Sequence, residues 1–266
     1  EATITNTIGG TGGDGNYEDV SNSAEVEQKA DQKNKDCDGS DCENTVDIQT
    51  QTALISNTIG GGSGGSDYHD VSNSAELEQE IKQHNEDCDN SLCENFVTNQ
   101  KQDAHIINAI GGIGNGEYED VSNSAEVEQK AEQENKDCSN ATCENSIGDP
   151  ADEESGQLQH VEITNTIGDS GNYKDVSNSA ELEQTADQEN DNCDDSSDCT
   201  NDIFVQSQVA DISNTIGGSA SGSEYDDVSN SAELEQTADQ ENDNCDNSDC
   251  TNEIFVQSQT ALISNN

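Results

Sequence analysis

VSNSAEVEQKADQKNKDCDGSDCENTVDIQTQTALISNTI, residues 20–59, decides the fold, because the chain is essentially this stretch copied about five times. As many residues separate Val20 from Cys37 as separate Cys42 from Ile59. The same equality holds between Val71 and Cys88 and between Cys93 and Ile110 in the second copy. It survives in the fourth, Val176 to Cys193 and Cys199 to Ile216, although that cysteine loop is one residue longer. Matched arms about a turn are what an antiparallel register requires, or a β-arch whose arms face each other.

Within the first arm, Asn22, Ala24, Val26, Gln28, Ala30, Gln32 and Asn34 alternate with Ser21, Ser23, Glu25, Glu27, Lys29, Asp31 and Lys33. One set is apolar or amide and the other hydroxyl or charged, which is the period of a strand with one buried face. The segment SAEVEQKADQ also favours helix by residue propensity, but propensity is a weak prior against period two. In the return arm Gln49, Gln51, Ala53, Ile55, Asn57 and Ile59 recur as Gln206, Gln208, Ala210, Ile212, Asn214 and Ile216. Equal arms set Gln28 opposite Gln51, Val26 opposite Ala53, Ala24 opposite Ile55 and Asn22 opposite Asn57. A slip of one residue would bury Glu25 and Glu27 instead. The inner face has an apolar end near the glycine links and an amide end near the cysteines, where Gln28, Gln32, Asn34, Gln49 and Gln51 must bond one another in ladders.

Taken in order, residues 1–8 form a half-strand lacking its partner arm, followed by hairpins at 20–59, 71–110, 121–167, 176–216 and 228–266. The third carries an insertion around GDPADEESG. Glycine-rich links join the copies and read as flexible turns. Each link ends in Tyr-x-Asp-Val: Tyr17, Tyr68, Tyr118, Tyr173 and Tyr225 precede Asp19, Asp70, Asp120, Asp175 and Asp227. This reads as a packing aromatic with a turn-forming aspartate. The expected fold is all-β: about five tandem long β-hairpins or β-arches of about 50 residues, joined by glycine links in antiparallel sheet.

Composition bounds the function. Of 266 residues only 28% are hydrophobic, and Trp and Met are absent, which borders on disorder but for the fixed repeat. Net charge is −51 and the eight basic residues are all lysine. Such a chain is not expected to bind nucleic acid or anionic membranes, and no segment reaches the roughly 20 apolar residues of a membrane span. The ten cysteines fall as close pairs: Cys37 and Cys42, Cys88 and Cys93, Cys138 and Cys143, Cys193 and Cys199, Cys245 and Cys250. With the charge and a first residue that is not methionine, they indicate an extracellular protein with disulfides.

Zinc or thiol-redox chemistry fits poorly, since the spacing is mostly CxxxxC and the histidines His69, His84, His105 and His160 do not recur in register. Both Cys37 and Cys42 have the parity of the charged face, so they could close their own turn or reach another subunit. The short loop favours the local bridge. Asp36, Asp38, Asp41 and Glu43 loosely resemble an acidic calcium loop, but the third copy loses two of these acids, so no specific metal ligand is assigned. Ca2+ or other divalent counterions held loosely by the carboxylates are expected instead, and no organic cofactor. Asn140-Ala141-Thr142 is an N-glycosylation acceptor pattern. No catalytic constellation appears, so an enzyme is not expected.

Long flat arms leave pairing edges at both ends of the sheet, guarded only by charge. Ala2, Ile4, Asn6 and Ile8 at one end, with Ala261, Ile263 and Asn265 at the other, are the candidate assembly residues for polymerisation of the chain with itself. A calcium-dependent adhesin presenting the acidic face is the rival reading.

Acidic repeats, Gln/Asn/Ala strand faces, glycine links and recurrent cysteine loops together resemble the β-rich sheath and filament proteins of archaeal cell envelopes, in particular the methanogen tubular sheaths, which are amyloid-like and disulfide-linked. The resemblance covers the whole chain in style rather than by a diagnostic motif. It implies an envelope building block, and it favours disulfides between subunits more than the residues alone do.

Overall fold

The arms of each repeat do not pair with each other. In the computed structural model, which describes residues 1–9, 16–60, 67–111, 116–152, 155–168, 171–194, 196–216 and 224–265, they lie in two separate sheets, each parallel throughout. The first arms are β2 (Tyr17–Asn34), β4 (Tyr68–Asn85), β6 (Gly116–Asn135), β9 (Gly171–Asn190) and β11 (Tyr225–Asn242), and they form one sheet in that order. The second sheet runs from β1 (Ala2–Gly9) through β3 (Cys42–Gly60) and β5 (Leu92–Gly111). It continues with the interrupted arm β7 (Thr142–Ile147) and β8 (Gly156–Gly168), then β10 (Asp198–Ile216) and β12 (Asp249–Asn265). Among the described residues there is no helix, so SAEVEQKADQ is strand, and none is long and apolar enough to cross a membrane. Most of each glycine link falls outside the described residues, and with it the reading of the links as flexible turns.

The expectation of antiparallel hairpins is therefore corrected. Every strand pairs with the same arm of the next copy, in register: Asn22 with Asn73, Gln28 with Gln79, Ala53 with Ala104, Ile55 with Ile106. Period two and matched arms fit this arrangement equally well, because side-chain alternation does not record which neighbour takes the backbone hydrogen bonds. A hairpin sheet would have left its apolar and amide face without a covering layer. Folding the arms over each other covers that face, and the opposite arm serves as the long crossover that parallel strands need.

The space between the sheets is filled in columns that run along the stack. Near the links lie Tyr68, Val71, Ile59 and their equivalents. The tyrosine rings of successive rungs stack with centroids 5.1, 5.0 and 4.9 Å apart. Next comes an asparagine column, then the Ala/Ile/Leu core of Ala53, Ile55, Leu77 and their equivalents. Glutamine columns follow, with a small apolar cluster (Ile81, Val97, Ile147, Ile203) among them. A second asparagine column and the cysteines close the far end. Each buried aliphatic side chain contributes roughly 1.5–3 kcal/mol.

The amides are satisfied by their own copies. Asn22 donates to Asn73, Asn73 to Asn123, Asn123 to Asn178 and Asn178 to Asn230, at 3.2, 3.0, 3.1 and 3.0 Å. Their second N–H crosses to the facing sheet, as in Asn22 to Asn57 and Asn73 to Asn108, both 2.7 Å. Glutamines combine a rung-to-rung bond with one to a backbone carbonyl of the facing sheet: Gln102 Nε2 donates to Gln51 Oε1 at 3.0 Å and to Leu77 O at 2.9 Å.

One register does not hold along the whole arm. Asn34 meets Asn44 at 3.1 Å, not Thr45, which equal arms would demand. The return arm changes parity between Val46 and Gln49, where the ladder steps from Val46–Val97 to Ile48–Asn99 and omits Asp47. This bulge is where the third repeat carries its insertion: β7 ends at Ile147 and β8 begins at Gly156, on either side of the residues extruded. Gly156 has φ +123° and lies against Val205, whose carbonyl oxygen would be 2.2 Å from an added Cβ. A second kink recurs at Asp19, Asp70, Asp120, Asp175 and Asp227, all at φ between 51° and 55°. Aspartate is among the few residues that tolerate that region, and it turns the chain just after the stacked tyrosine.

At the arches the structure joins Cys37–Cys42, Cys88–Cys93, Cys138–Cys143, Cys193–Cys199 and Cys245–Cys250. Strand parity assigns Cys37 to the outside, yet it is fully buried, because Asp36 at φ 58° turns the chain inward. Each closes a short loop, which by chain entropy contributes about 2 kcal/mol.

Asn123→Leu tests the ladder. It removes the acceptor of Asn73 and Asn108 and the donor to Asn165 and Asn178. Chemical denaturation is expected to show a loss of at least about 2 kcal/mol, against a change within about 0.5 kcal/mol for Ser124→Ala on the outer face.

Candidate assembly interface

A stack of parallel strands has two open ends, and here the β12 end carries apolar side chains, Ile254 and Ile263, whose equivalents the interior rungs bury. The exposed large hydrophobics among the described residues are Ile254, Phe255, Val256, Leu262 and Ile263 on β12, and Ile48 and Leu54 on β3. Ile254 is 42% exposed and Ile263 48%, whereas the residues below them in β10, Ile203 and Ile212, are 0% and 1% exposed. A further rung would cover both.

The candidate assembly residues fall at opposite ends of one register. Ala2, Ile4, Asn6 and Ile8 pair with Ala53, Ile55, Asn57 and Ile59. Ala261, Ile263 and Asn265 pair with Ala210, Ile212 and Asn214. β1 is thus docked on its own chain, with Ala2 and Ile4 against the core and Asn6 donating to Asn22 at 2.5 Å. Asn266 lies outside the described residues. Sequence reading missed the apolar set Ile254, Phe255 and Val256, since position in the stack, not residue type, exposes it.

The ends are chemically different. Gln79, Gln129, Gln184 and Gln236 each donate to the glutamine of the rung before, and so do Gln100, Gln157, Gln206 and Gln257. The asparagine columns run the other way, as in Asn34 to Asn85, Asn135, Asn190 and Asn242. The β11/β12 end therefore presents glutamine carbonyl oxygens, and the β2/β3 end presents the N–H groups of Gln28 and Gln49. The two ends are thus complementary in their glutamines, acceptors at β11/β12 and donors at β2/β3.

In-register stacking also aligns acids on the outer faces: Glu25, Glu76, Glu126, Glu181 and Glu233 form one column. Burial, reinforced by neighbouring carboxylates, pushes Glu94, Glu128, Asp187 and Glu189 above the usual carboxylate range. Asp202 is pushed up to about 6, first by burial and then by Glu253 and Glu144. Lysines interrupt the columns. Lys29 contacts Glu27 at 2.8 Å and Glu78 at 3.0 Å, Lys82 bridges Glu80 and Glu132, and Lys174 contacts Glu119. Pairs as exposed as these are screened by solvent, so they moderate repulsion and do not hold the fold.

The remaining candidates are placed as follows. Among the described residues, Asp36, Asp38, Asp41 and Glu43 do not converge as a ligand cluster. Sulfur atoms of successive arches approach within 4.8 Å, but all are oxidised. Asn140 is exposed on its arch, and its Nδ2 donates to Asn90 Oδ1 at 2.6 Å. His69 and His84 pair separately with Glu119 and Glu134, while His105 and His160 meet beside Asp103. The Asp103 bond raises His160 above the ordinary imidazole range and, with His105, holds Asp103 low. The main groove is lined by the same Ser-Ala-Glu tripeptide in five rungs. Comparison of the chain with protein-family models, curated proteins and solved structures finds no match.

Asp202→Asn tests the electrostatics. A raised folded-state pKa is a cost where the carboxylate is ionised in both folded and unfolded chains, so the cost is full above about pH 6 and vanishes below its ordinary value. The variant should melt higher than the parent at about pH 8 and alike at about pH 3.5. An equal or lower Tm at the higher pH would show that the charge is already compensated.

Proposed function

We propose that this chain is an extracellular structural subunit that polymerises by adding rung to rung, β12 of one copy against the β2/β3 end of the next. The observation that carries this reading is that Ile254 and Ile263 of the end strand are about half exposed, whereas their equivalents Ile203 and Ile212 inside the stack are completely covered. Five internal rungs already show that the stacking is compatible with itself. A copy added in the same register continues the tyrosine, asparagine, glutamine and aliphatic columns once β1 yields the edge of β3 at Ala53–Gly60 to the incoming β12.

Parallel register and ladder direction make the contact heterologous, so it does not close on itself as a two-fold dimer does and extends into a polar filament. Five disulfides at the arches fit an oxidising compartment. An acidic exterior keeps subunits apart until neutralised, so divalent cations, at millimolar levels, favour assembly by screening the aligned carboxylates. This account extends the resemblance to envelope sheath proteins, with the building unit now a parallel stack. The stack links subunits by strand pairing and retains the disulfide within each arch.

Ile254→Lys with Ile263→Lys places two charges on the open strand without disturbing an interior rung. Electron microscopy is expected to show filaments for the parent and none for the variant, whose strand content and disulfides remain. A variant that assembles at the parent's rate removes β12 from the interface.

A further inference from the structure

We infer that Asp103, His105 and His160 form a binding site for one divalent transition-metal ion of the zinc class, with Glu162 orienting His105. Asp103 and His105 lie two residues apart on β5 and therefore on one face, and His160 and Glu162 do so on β8. Parallel pairing sets Asp103 beside His160 and His105 beside Glu162. Two of the chain's four histidines thus meet across one pair of rungs, although they stand 55 positions apart in copies of different length (105 and 160).

The geometry is that of a ligand set. His105 Nε2 and His160 Nδ1 each lie 3.0 Å from Asp103 Oδ1. One ligand atom from each of the three residues lies within 4.8 Å of the other two. The rings are edge to face, with centroids 5.5 Å apart and planes at 72°, so their nitrogens approach one point from different directions. On the far side of His105, Nδ1 is 3.0 Å from Glu162 Oε2. That carboxylate fixes the tautomer whose Nε2, beside Asp103, carries the lone pair a metal needs, the arrangement by which metal-bound imidazoles are held. Two imidazoles and a carboxylate suit zinc, copper or nickel rather than calcium, which takes oxygen ligands. Three protein ligands leave a fourth position for water.

The site belongs to one place in the stack. The neighbouring strands carry Thr52 and Leu54 on one side and Val209 and Asp211 on the other, so no other rung repeats the set. It also joins β5 to β8, the strand that restarts after the insertion. An ion there clips the interrupted rung to its intact neighbour.

The test uses the full oxidised chain, stripped with chelator and titrated with Zn2+ in a large excess of Ca2+ that occupies the loose carboxylate sites. One equivalent of Zn2+ is expected to remain bound. His105→Gln with His160→Gln should abolish it, Glu162→Gln should weaken it about tenfold, and His69→Gln with His84→Gln should leave it unchanged. Cu2+ loaded in place of Zn2+ should show coupling to two imidazole nitrogens in electron paramagnetic resonance, with intact disulfides and strand content confirming the fold of each variant. No Zn2+ held above the Ca2+-competed background, or binding that persists in His105→Gln/His160→Gln, would overturn the assignment.

Discussion

Buried amides must find partners, and in this chain the same amide of the adjoining rungs supplies them together with groups of the facing sheet. An unpaired buried N–H or C=O costs about 1–3 kcal/mol, and every rung buries several. The cost disappears when identical residues stack in register, because each side chain presents a donor to one neighbour and an acceptor to the other. Parallel pairing, the repeat length, the constant arm lengths and the difference between the two ends all follow from this. So does the tolerance of a core in which aliphatic columns alternate with polar ones.

The same constraint aligns what would otherwise be separated. Register that stacks Asn on Asn also stacks Glu on Glu, and a chain of net charge −51 bears that repulsion along both outer faces. Lysines at a few outer positions, and acids whose affinity for protons is raised, show where the strain concentrates. In the proposed polymer this repulsion would limit uncontrolled growth and make assembly responsive to protons and cations.

Strand identity, the inner face and the facing of Asn22 and Asn57 were legible in residues 20–59, because alternation and arm length record them directly. The direction of pairing was not. Alternation is the same whether an arm bonds to its own partner or to the next copy, and what separates the two is the need for a second layer over the amide face. The parity change between Val46 and Gln49 was hidden because Asp47 and Ile48 look like any outer pair. Burial of Cys37 depended on the left-handed Asp36, which a parity count does not register. Ala2 to Ile8 and Ala261 to Asn265 were visible as matching end segments, whereas the apolar exposure of Ile254 to Val256 needed their place at the end of the stack. The convergence of His105 and His160 was obscured by the insertion, which shifts the second out of the common spacing.

A parallel, in-register stack fixes the distance between equivalent tyrosines along its axis. Tyr17, Tyr68, Tyr118, Tyr173 and Tyr225 pair rung to rung. With the tyrosine carbonyl carbon as the only 13C label, dipolar recoupling in solid-state NMR should report a nearest-neighbour distance close to the strand spacing of about 4.8 Å. A distance near twice that value, as expected where the same arm recurs only at every second strand of an antiparallel sheet, would contradict the account.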